Sequence, residues 1–208
     1  MKKGSFIVFE GPDGSGKTTV CDIVCQKLKD KGFDIVHTRE PGGIDIAEQI
    51  RAVILDPKNT AMDSRTEALL YAASRRQHLV EKVLPAISDG KIVICERFVY
   101  SSLAYQGKAR GIGYEGVKAI NDFAIEGCKP DITIYLDVDE KTGQSRINDR
   151  GNKDRLDAES ISFHHLVNEG YKEIISLYKD NVKIVDATKD IDAVVDNSLA
   201  IILDYING

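Results

Sequence analysis

A glycine-rich segment near the start of the chain has the residue types and spacing of a phosphate-binding loop. It reads Gly11-Pro-Asp-Gly-Ser-Gly-Lys-Thr-Thr19 and follows the apolar run Ser5–Phe9. Glycines let such a loop wrap a polyphosphate and turn its N–H groups inward. Lys17 can reach the β- and γ-phosphates, and the Thr18 hydroxyl can ligate Mg²⁺. The segment therefore predicts that the chain binds a nucleoside triphosphate, with contacts from Gly11, Pro12, Asp13, Gly14, Ser15, Gly16, Lys17, Thr18 and Thr19.

This loop has no cation besides Lys17. Arginines from elsewhere are therefore needed to neutralise the negative charge that develops on a phosphoryl group during its transfer. Residues 146–157 are charged, contain glycine and are poor in apolar side chains. They are typical of a mobile lid that closes over transferring phosphate and supplies an arginine. Arg146, Arg150 and Arg155 are its candidates, and the alternative is an exposed loop whose basic residues are incidental.

Polar residues also follow two further apolar runs. In a parallel sheet, ligands bind at the carboxyl ends of the strands, where such residues lie. Glu96 and Arg97 come directly after Ile92–Cys95. The carboxylate is positioned to act on Mg²⁺ or its waters, and the guanidinium can clamp a phosphate with two parallel donors. A surface ion pair at the end of the strand is the alternative. The segment Thr38–Gly43, which contains Arg39, Glu40 and Pro41, follows the second run and could equally be a solvated turn.

Tyr71 and Arg75 lie four residues apart and therefore on one face of a predicted helix. An aromatic ring beside a guanidinium can stack a base and bond its edge or a phosphate. From the spacing alone, a tyrosine in the core and an arginine on the surface is the simpler interpretation.

The composition is that of one globular α/β domain over residues 1–208, with 42% hydrophobic and 29% charged residues. The net charge of −5 argues against a general nucleic-acid binder, whose surface is usually basic. No window reaches the roughly 18 apolar residues of a membrane span, and the N-terminus leaves no room for a signal peptide. These features predict a cytoplasmic enzyme without nucleic-acid or membrane partners.

The four cysteines are Cys21, Cys25, Cys95 and Cys128, and none forms a C-x-x-C pair. No histidine or second cysteine pair lies at ligand spacing, so the sequence does not indicate a zinc site. We interpret the cysteines as small core or near-core hydrophobes in a reducing compartment.

Apolar runs alternate with longer amphipathic stretches, the βαβ pattern of a parallel sheet. The predicted strands are Phe6–Phe9, Asp34–Thr38, Ile92–Cys95, Ile132–Leu136 and Val182–Asp186. The predicted helices are Lys17–Lys31, Ile46–Leu55, Ser64–Asp89, Tyr114–Gly127, Glu140–Asn148, Ser160–Tyr178 and Ile191–Ile206. Pro85 should disturb the last turns of the third helix, and Gly90 is a plausible C-cap.

With these features in place, the chain resembles the bacterial thymidylate kinases over nearly its whole length. The resemblance rests on five segments, namely Phe9–Thr19, Thr38–Gly43, Ala68–Arg75, Glu96–Gly107 and Asp154–Asp157. It implies a P-loop kinase fold with a five-stranded parallel sheet, helices on both faces and a short lid at residues 146–157. It also implies transfer of a phosphoryl group from ATP to dTMP with Mg²⁺, in the supply of dTTP, by a homodimer.

The resemblance assigns roles to residues at matching positions. Lys17 and Thr18 would hold the phosphates and magnesium, Asp13 would face the sugar 3′-hydroxyl, and Arg150 or Arg155 would supply the catalytic lid cation. The implied substrate-binding set is Asp13, Arg39, Glu40, Pro41, Arg51, Tyr71, Arg75, Arg97, Ser102, Tyr105 and Gln106. In this set the arginines at 39, 51 and 97 would bind the dTMP phosphate, and the residues at 71, 75 and 106 would contact the base.

Two positions depart from the family pattern. Glu96 stands where the family commonly has aspartate, which lengthens the reach of a catalytic and metal-binding carboxylate by one methylene. Tyr71 stands where it usually has phenylalanine, which adds a hydroxyl that needs a partner or water. The alternatives that remain are a kinase of another nucleotide or nucleoside, and a P-loop switch module that signals to a partner protein.

Overall fold

A five-stranded parallel sheet forms the centre of the computed structural model, which describes residues 4–148 and 154–207. The strands are β1 (Ser5–Glu10), β2 (Ile35–Arg39), β3 (Ile92–Glu96), β4 (Ile132–Asp137) and β5 (Val182–Asp186), in the order β2-β3-β1-β4-β5. Each pair is parallel, so all carboxyl ends lie at one edge of the sheet. The α/β class, the strand number and the parallel arrangement are as the sequence predicts.

The helices cover both faces of this sheet. They are α1 (Lys17–Asp30), α2 (Asp45–Leu55), α3 (Ser64–His78), α4 (Leu84–Ser88), α5 (Val99–Ser102), α6 (Tyr114–Ile125), α7 (Glu140–Asn148), α8 (Ile161–Leu177) and α9 (Ile191–Asn207). A 3₁₀ turn, Lys179–Asn181, precedes β5. Among the described residues, no helix is long and apolar enough to span a membrane.

The central strand β1 divides its apolar side chains between two cores. Ile7 and Phe9 point into a cluster formed with α1 and α9, whereas Phe6 and Val8 point into a cluster on the opposite face. Successive side chains of a strand face opposite sides, so both sets are buried only when helices cover both faces. The uninterrupted apolar run of the sequence is the consequence of this double coverage.

The predicted helix from Ser64 to Asp89 is not a single α-helix. Between α3 and α4 lies a π-helical segment, Leu79–Val83, in which Leu84 donates its N–H to the Leu79 carbonyl. This segment ends two residues before Pro85, whose ring has no N–H to donate and would clash with the carbonyl four residues before it. The wider turn is the local adjustment that lets the helix continue through the proline.

The sequence analysis missed the helical segment after β3. Helix α5 continues into a π-helical segment, Leu103–Ala109, and nearly all of its side chains are buried. A segment that is covered on all sides has no polar face, so it shows no amphipathic periodicity. Polar residues such as Ser101, Ser102 and Gln106 add to the ambiguity, because they are buried here for hydrogen bonding rather than for apolar packing.

The close approach of α8 to this buried segment depends on Gly170. A Cβ atom built at this position would lie 2.9 Å from the Lys108 Cβ and 3.1 Å from the Ala104 Cα. Contacts this short to backbone-proximal atoms force one of the two helices to move.

We predict that Gly170→Ala lowers the free energy of unfolding by about 1–3 kcal/mol through this overpacking. The matched control is Gly116→Ala in the first turn of α6, where the added Cβ meets only Ile112 Cγ2 at 3.4 Å. The control should gain about 0.5–1 kcal/mol, because alanine has less backbone freedom to lose than glycine. Urea unfolding of both variants measures the difference, and equal effects would show that the two helices have room to separate.

Candidate active site

The glycine-rich loop joins the end of β1 to the start of α1, as the sequence predicts. Three of its glycines have positive φ angles, namely Gly11 (151°), Gly14 (77°) and Gly16 (85°). Side chains would strain this backbone path, which explains why glycines occupy these positions. The loop therefore lies at the carboxyl edge of the sheet, directly before the positive end of a helix dipole.

The ammonium group of Lys17 lies inside this loop. Its Nζ donates to the carbonyls of Gly11 and Pro12, at 2.9 and 2.8 Å, and to Ser15 Oγ at 3.1 Å. Burial lowers the pKa of Lys17 to about 7, and the neighbouring charge of Arg97 contributes in the same direction. An anion arriving in the loop would favour the protonated amine, so the group is set to gain charge when phosphate binds.

Thr18 and Glu96 form a pair of oxygen donors beside the loop. Thr18 Oγ1 donates to Glu96 Oε2 at 2.6 Å, and His37 Nε2 lies 3.1 Å from Glu96 Oε1. Burial alone would raise the pKa of Glu96, but the hydrogen bonds from His37 and Thr18 outweigh it and lower the pKa. An ionised carboxylate next to a hydroxyl at the mouth of a phosphate loop suits Mg²⁺, which prefers oxygen ligands.

Arg97 connects the loop to the rest of the cleft. One terminal nitrogen of its guanidinium donates to the Gly11 carbonyl at 3.1 Å, and the other forms an ion pair with Asp13. Tyr105 also donates its hydroxyl to Asp13. Burial would raise the pKa of Asp13, but Arg97, Lys17 and this hydroxyl outweigh it and lower the pKa to about 2. Asp13 is therefore a fixed anion, and Arg97 a fixed cation, between the loop and the cleft.

Glu10, at the end of β1, is a site residue that the sequence analysis missed. Its carboxylate accepts N–H bonds from Phe98 at 2.8 Å and Ser101 at 3.1 Å, and so caps the start of α5. It also accepts from the hydroxyls of Ser101 and Tyr171. The short segment that carries Arg97 is thus held by a buried carboxylate of the neighbouring strand. A charged residue in an otherwise apolar strand was the available signal.

One cleft of about 170 Å³ opens beside the loop and brings the predicted residues together. Every residue that the resemblance assigns to the substrate lines it, together with Gly16, Lys17, Thr18 and Glu96. The cleft is also lined by Ser101 and by the carboxylates of Asp154 and Asp157, to which the sequence analysis assigned no role. These residues come from the ends of three strands and from α2, α3 and the 99–109 segment, so no single element could have revealed the cleft.

Arg75 is buried in this cleft rather than exposed on a helix surface. Its guanidinium donates to Glu40 Oε2 at 2.6 Å, Ser102 Oγ at 3.1 Å and the Phe98 carbonyl at 2.9 Å. A further N–H donates to the side-chain oxygen of Asn121. These bonds use four of the five N–H donors of an arginine, so at most one remains for a ligand. The surface-arginine alternative is therefore wrong for this residue.

Arg155 does not line the cleft in this structure. Its Nε donates to the Ile54 carbonyl at 2.7 Å, and a terminal nitrogen pairs with Glu67 Oε2 at 2.5 Å. Glu67 also accepts from Arg110 and from Gln106 Nε2, the latter at 2.9 Å. The buried carboxylate of α3 thus pairs with one arginine of the predicted lid and orients a cleft amide. Nothing in the sequence pattern indicated this role of Glu67.

The remaining arginines occupy different surroundings. Arg39 is half-exposed and pairs with Glu48 at 2.9 Å, whereas Arg51 donates to the Pro41 carbonyl at 3.0 Å. Burial lowers the pKa of Arg51, and the charge of Arg39 adds to the effect. Arg146 donates to the Gly14 and Ala187 carbonyls, at 3.2 Å each, so it lies against the phosphate loop.

The sequence named Arg150 as a catalytic candidate in a lid at residues 146–157. Arg150 and residues 149–153 lie outside the described part of the chain. Of the two described candidates, Arg146 contacts the loop and Arg155 contacts Glu67. The role of each lid arginine stays a prediction.

We predict that a non-hydrolysable nucleoside triphosphate analogue takes up a proton on binding at about pH 8, where an amine with a pKa near 7 is mostly neutral. The phosphates favour the ammonium form of Lys17, so uptake should approach one proton at about pH 8 and disappear below about pH 6. Titration calorimetry in buffers of different ionisation enthalpy measures it. Lys17→Arg, which stays charged, is the control, and equal uptake in both proteins would contradict the assignment.

Comparison with known proteins is consistent with this geometry. The family model described as thymidylate kinase matches residues 9–197. A thymidylate kinase of Geobacillus sp. (strain WCH70) is 55% identical over 208 residues, which cover 99% of both chains. One of Clostridium novyi (strain NT) is 53% identical and covers 93% of this chain and 96% of the relative. A crystal structure of thymidylate kinase from Ehrlichia chaffeensis superposes with a TM-score of 0.79 at 30% identity, covering 96% of this chain and 99% of that one. The chain belongs to the thymidylate kinase family.

Proposed function

We propose that this protein transfers the terminal phosphoryl group of ATP to dTMP, giving ADP and dTDP in the supply of dTTP. The observation that carries the proposal is the position of Arg97. It contacts the phosphate loop at Gly11 and Asp13 and lines the cleft that also contains Tyr71 and Gln106. A donor phosphate in the loop and an acceptor in the cleft would therefore meet at one guanidinium.

The donor side would use the loop and the Thr18–Glu96 pair. Backbone N–H groups and Lys17 would bind the phosphates, and Thr18 with Glu96 would hold Mg²⁺ directly or through water. When bound, the ion supplies charge neutralisation for the transferring group. The ionised state of Glu96 supports this assignment, because its lowered pKa keeps it an acceptor throughout the neutral range.

The acceptor side would use fixed charges to orient dTMP. Three arginines line the cleft near the loop, namely Arg39, Arg51 and Arg97. They would bind the phosphate of the acceptor, because a guanidinium can donate two parallel hydrogen bonds to it. Asp13 would accept a hydrogen bond from the sugar 3′-hydroxyl. Since the ion pairs that hold Arg97 and Asp13 already exist without ligand, little reorganisation is needed when the acceptor binds.

The base would lie between Tyr71 and the buried polar groups of the cleft. The ring of Tyr71 offers a stacking surface, and Ser102 and Tyr105 complete the wall. Arg75 has at most one N–H donor that is not used by the protein, and this donor would bind the O4 oxygen of thymine. Gln106 donates one N–H to Glu67, so its carbonyl oxygen is free to accept from the N3–H of thymine. Cytosine would not fit, because it has a donor amine where thymine has O4 and an acceptor nitrogen where thymine has the N3–H.

The catalytic lid cation would be one of the arginines at 146–157, with Arg150 and Arg155 the predicted residues. Arg155 would need to leave Glu67 to reach the phosphates, whereas Arg146 already lies at the loop. A charge supplied from the lid would add to that of Arg97, because the loop itself has only Lys17.

We predict that an ADP-release assay with ATP and Mg²⁺ gives a strong preference for dTMP over dUMP, dCMP, dGMP, AMP and thymidine. Gln106→Ala should reduce the discrimination of dTMP from dCMP by roughly tenfold or more, because a base-reading hydrogen bond is worth about 1–3 kcal/mol. The control is Gln77→Ala on α3, where the glutamine lies outside the cleft and donates to Glu81 at the protein surface. Unchanged discrimination in Gln106→Ala would reject its assigned role.

The same assay separates the rival functions. Preference for another monophosphate would keep the phosphate machinery but reject the base-binding roles. Transfer to no acceptor, with ATP still bound, would support a switch module. Thermal shift gives an independent measure, since dTMP as well as ATP should stabilise a kinase with two nucleotide sites.

We also propose that the protein works as a homodimer in the cytoplasm. Cys21, Cys25 and Cys95 are buried free thiols, which fits a reducing compartment. On α6 the side chain of Phe123 is 89% exposed, and on the neighbouring α3 that of Leu69 is 56% exposed. Large apolar side chains on two helices that contact each other support a second copy as the cover of this face.

We predict that Phe123→Glu shifts the protein from dimer to monomer in light scattering, because a charge in an apolar interface loses its hydration without a partner. Ile184→Glu on the edge strand β5 is the control, since this isoleucine is also largely exposed but belongs to neither α3 nor α6. A wild-type monomer, or a dimer that survives Phe123→Glu, would reject this face as the interface.

A further inference from the structure

Three side chains with metal-binding atoms converge beside the candidate active site. Cys21 comes from α1, His37 from β2 and Glu96 from the end of β3. Their ligating atoms all lie within 4.8 Å of one another, and His37 Nε2 is 3.1 Å from Glu96 Oε1. The sequence did not indicate a zinc site, because the three residues are far apart along the chain and only the sheet brings them together.

The surroundings of His37 provide a second, independent observation. Its Nδ1 lies 3.4 Å from Asp22 Oδ1, which is adjacent to Cys21 on α1. Without an ion, Nε2 is hydrogen-bonded to Glu96 Oε1. The carboxylate of Asp22 beside the other ring nitrogen lets the imidazole carry its proton on Nδ1 instead, so that a cation can replace the hydrogen between Nε2 and Oε1. A carboxylate–histidine–metal series of this kind is how proteins orient histidine ligands.

An ion can reach this cluster from solvent. His37 and Glu96 line a cleft of about 320 Å³ on the outer side of β2. Cys21 is fully buried, so its sulphur closes the inner end of the cluster. Two ligands at the wall of a cleft and one beneath them give an entry path and leave a coordination position for water.

We propose that Cys21, His37 and Glu96 form a binding site for a divalent cation of the zinc class, oriented by Asp22. The sulphur and nitrogen ligands select zinc or cobalt over Mg²⁺, which takes oxygen ligands. When the cation binds, the thiol proton of Cys21 passes to solvent and the thiolate becomes the ligand. The site is separate from the Thr18 position but shares the carboxylate of Glu96.

This shared carboxylate connects the site to the proposed function. Glu96 Oε2 accepts from Thr18 Oγ1 at 2.6 Å, while Oε1 faces His37. A zinc-class ion bound to Oε1 would draw the carboxylate away from the Mg²⁺ position and reduce phosphoryl transfer. Only this consequence rests on the proposed function, since binding is defined by the three ligands alone.

Binding is tested on the full chain after treatment with a chelator. Titration with Co²⁺ should give one ion per chain and a thiolate-to-cobalt charge-transfer absorption, and Zn²⁺ should displace it. Cys21→Ser should abolish the absorption, whereas Cys25→Ser, one turn along the same buried helix face, should keep it. Asp22→Asn should weaken binding by roughly tenfold, as loss of a histidine-orienting carboxylate typically does.

A second variant keeps the test decisive if Cys21→Ser does not fold. His37→Gln changes a partly exposed side chain and should also remove the site. The proposal is overturned if the wild-type chain binds no Co²⁺ or Zn²⁺. It is equally overturned if His37→Gln binds as tightly as the wild type, which would leave His37–Glu96 an ordinary ion pair.

A separate arm measures the effect on catalysis. With Mg²⁺ in excess, one equivalent of Zn²⁺ should lower kcat by roughly tenfold or more, as disturbance of one metal ligand typically does, and a chelator should restore it. Cys21→Ser should keep its basal activity and lose this sensitivity. Inhibition that is identical in Cys21→Ser would place the zinc elsewhere. An inactive wild type would reject the proposed function but leave the binding test intact.

Discussion

The parallel pairing of β1 with β3 is the constraint on which the rest of the site depends. Phe9 lies opposite Glu96, and the next residue, Arg97, donates its backbone N–H to the Phe9 carbonyl at 2.8 Å. This register places the carboxylate of Glu96 and the guanidinium of Arg97 beside the phosphate loop that leaves β1. A shift by one residue would exchange the two side chains between faces of the sheet and separate both from the loop.

Buried and partly buried guanidinium–carboxylate pairs give the cleft its fixed shape. Arg97 pairs with Asp13, Arg75 with Glu40, and Arg155 with Glu67, and each pair joins elements that are distant in the sequence. Such pairs cost desolvation free energy and are weak evidence for stability. Their contribution here is preorganisation, because donors and acceptors are held in place before a ligand arrives. Phosphoryl transfer benefits most from this, since it needs alignment and charge more than covalent chemistry.

The sequence predicted the elements that have a periodic pattern and missed those that do not. All five strands were found within one residue at each end, because doubly covered strands are short apolar runs. The 99–109 segment was missed because burial on every side removes periodicity, and the π-helical segment 79–83 because its hydrogen bonds leave no mark in composition. Glu10 and Glu67 were missed for a related reason: the sequence around a single carboxylate does not reveal which donors surround it.

The amino-acid sequence by itself determined the phosphate loop and the α/β class, and its resemblance to the thymidylate kinases supplied the set of residues that gather at the cleft. Local rules suffice for the loop and the class, since the loop's glycines, lysine and threonine act through contiguous backbone, and strand ends of a parallel sheet share one edge. Only the tertiary structure decided how the charges pair. It directed Arg75 inward to Glu40, bound Arg155 to Glu67, and brought Cys21, His37 and Glu96 within 4.8 Å of one another. Electrostatic and coordination partners depend on distances of a few ångströms between remote residues, and sequence spacing does not encode those distances.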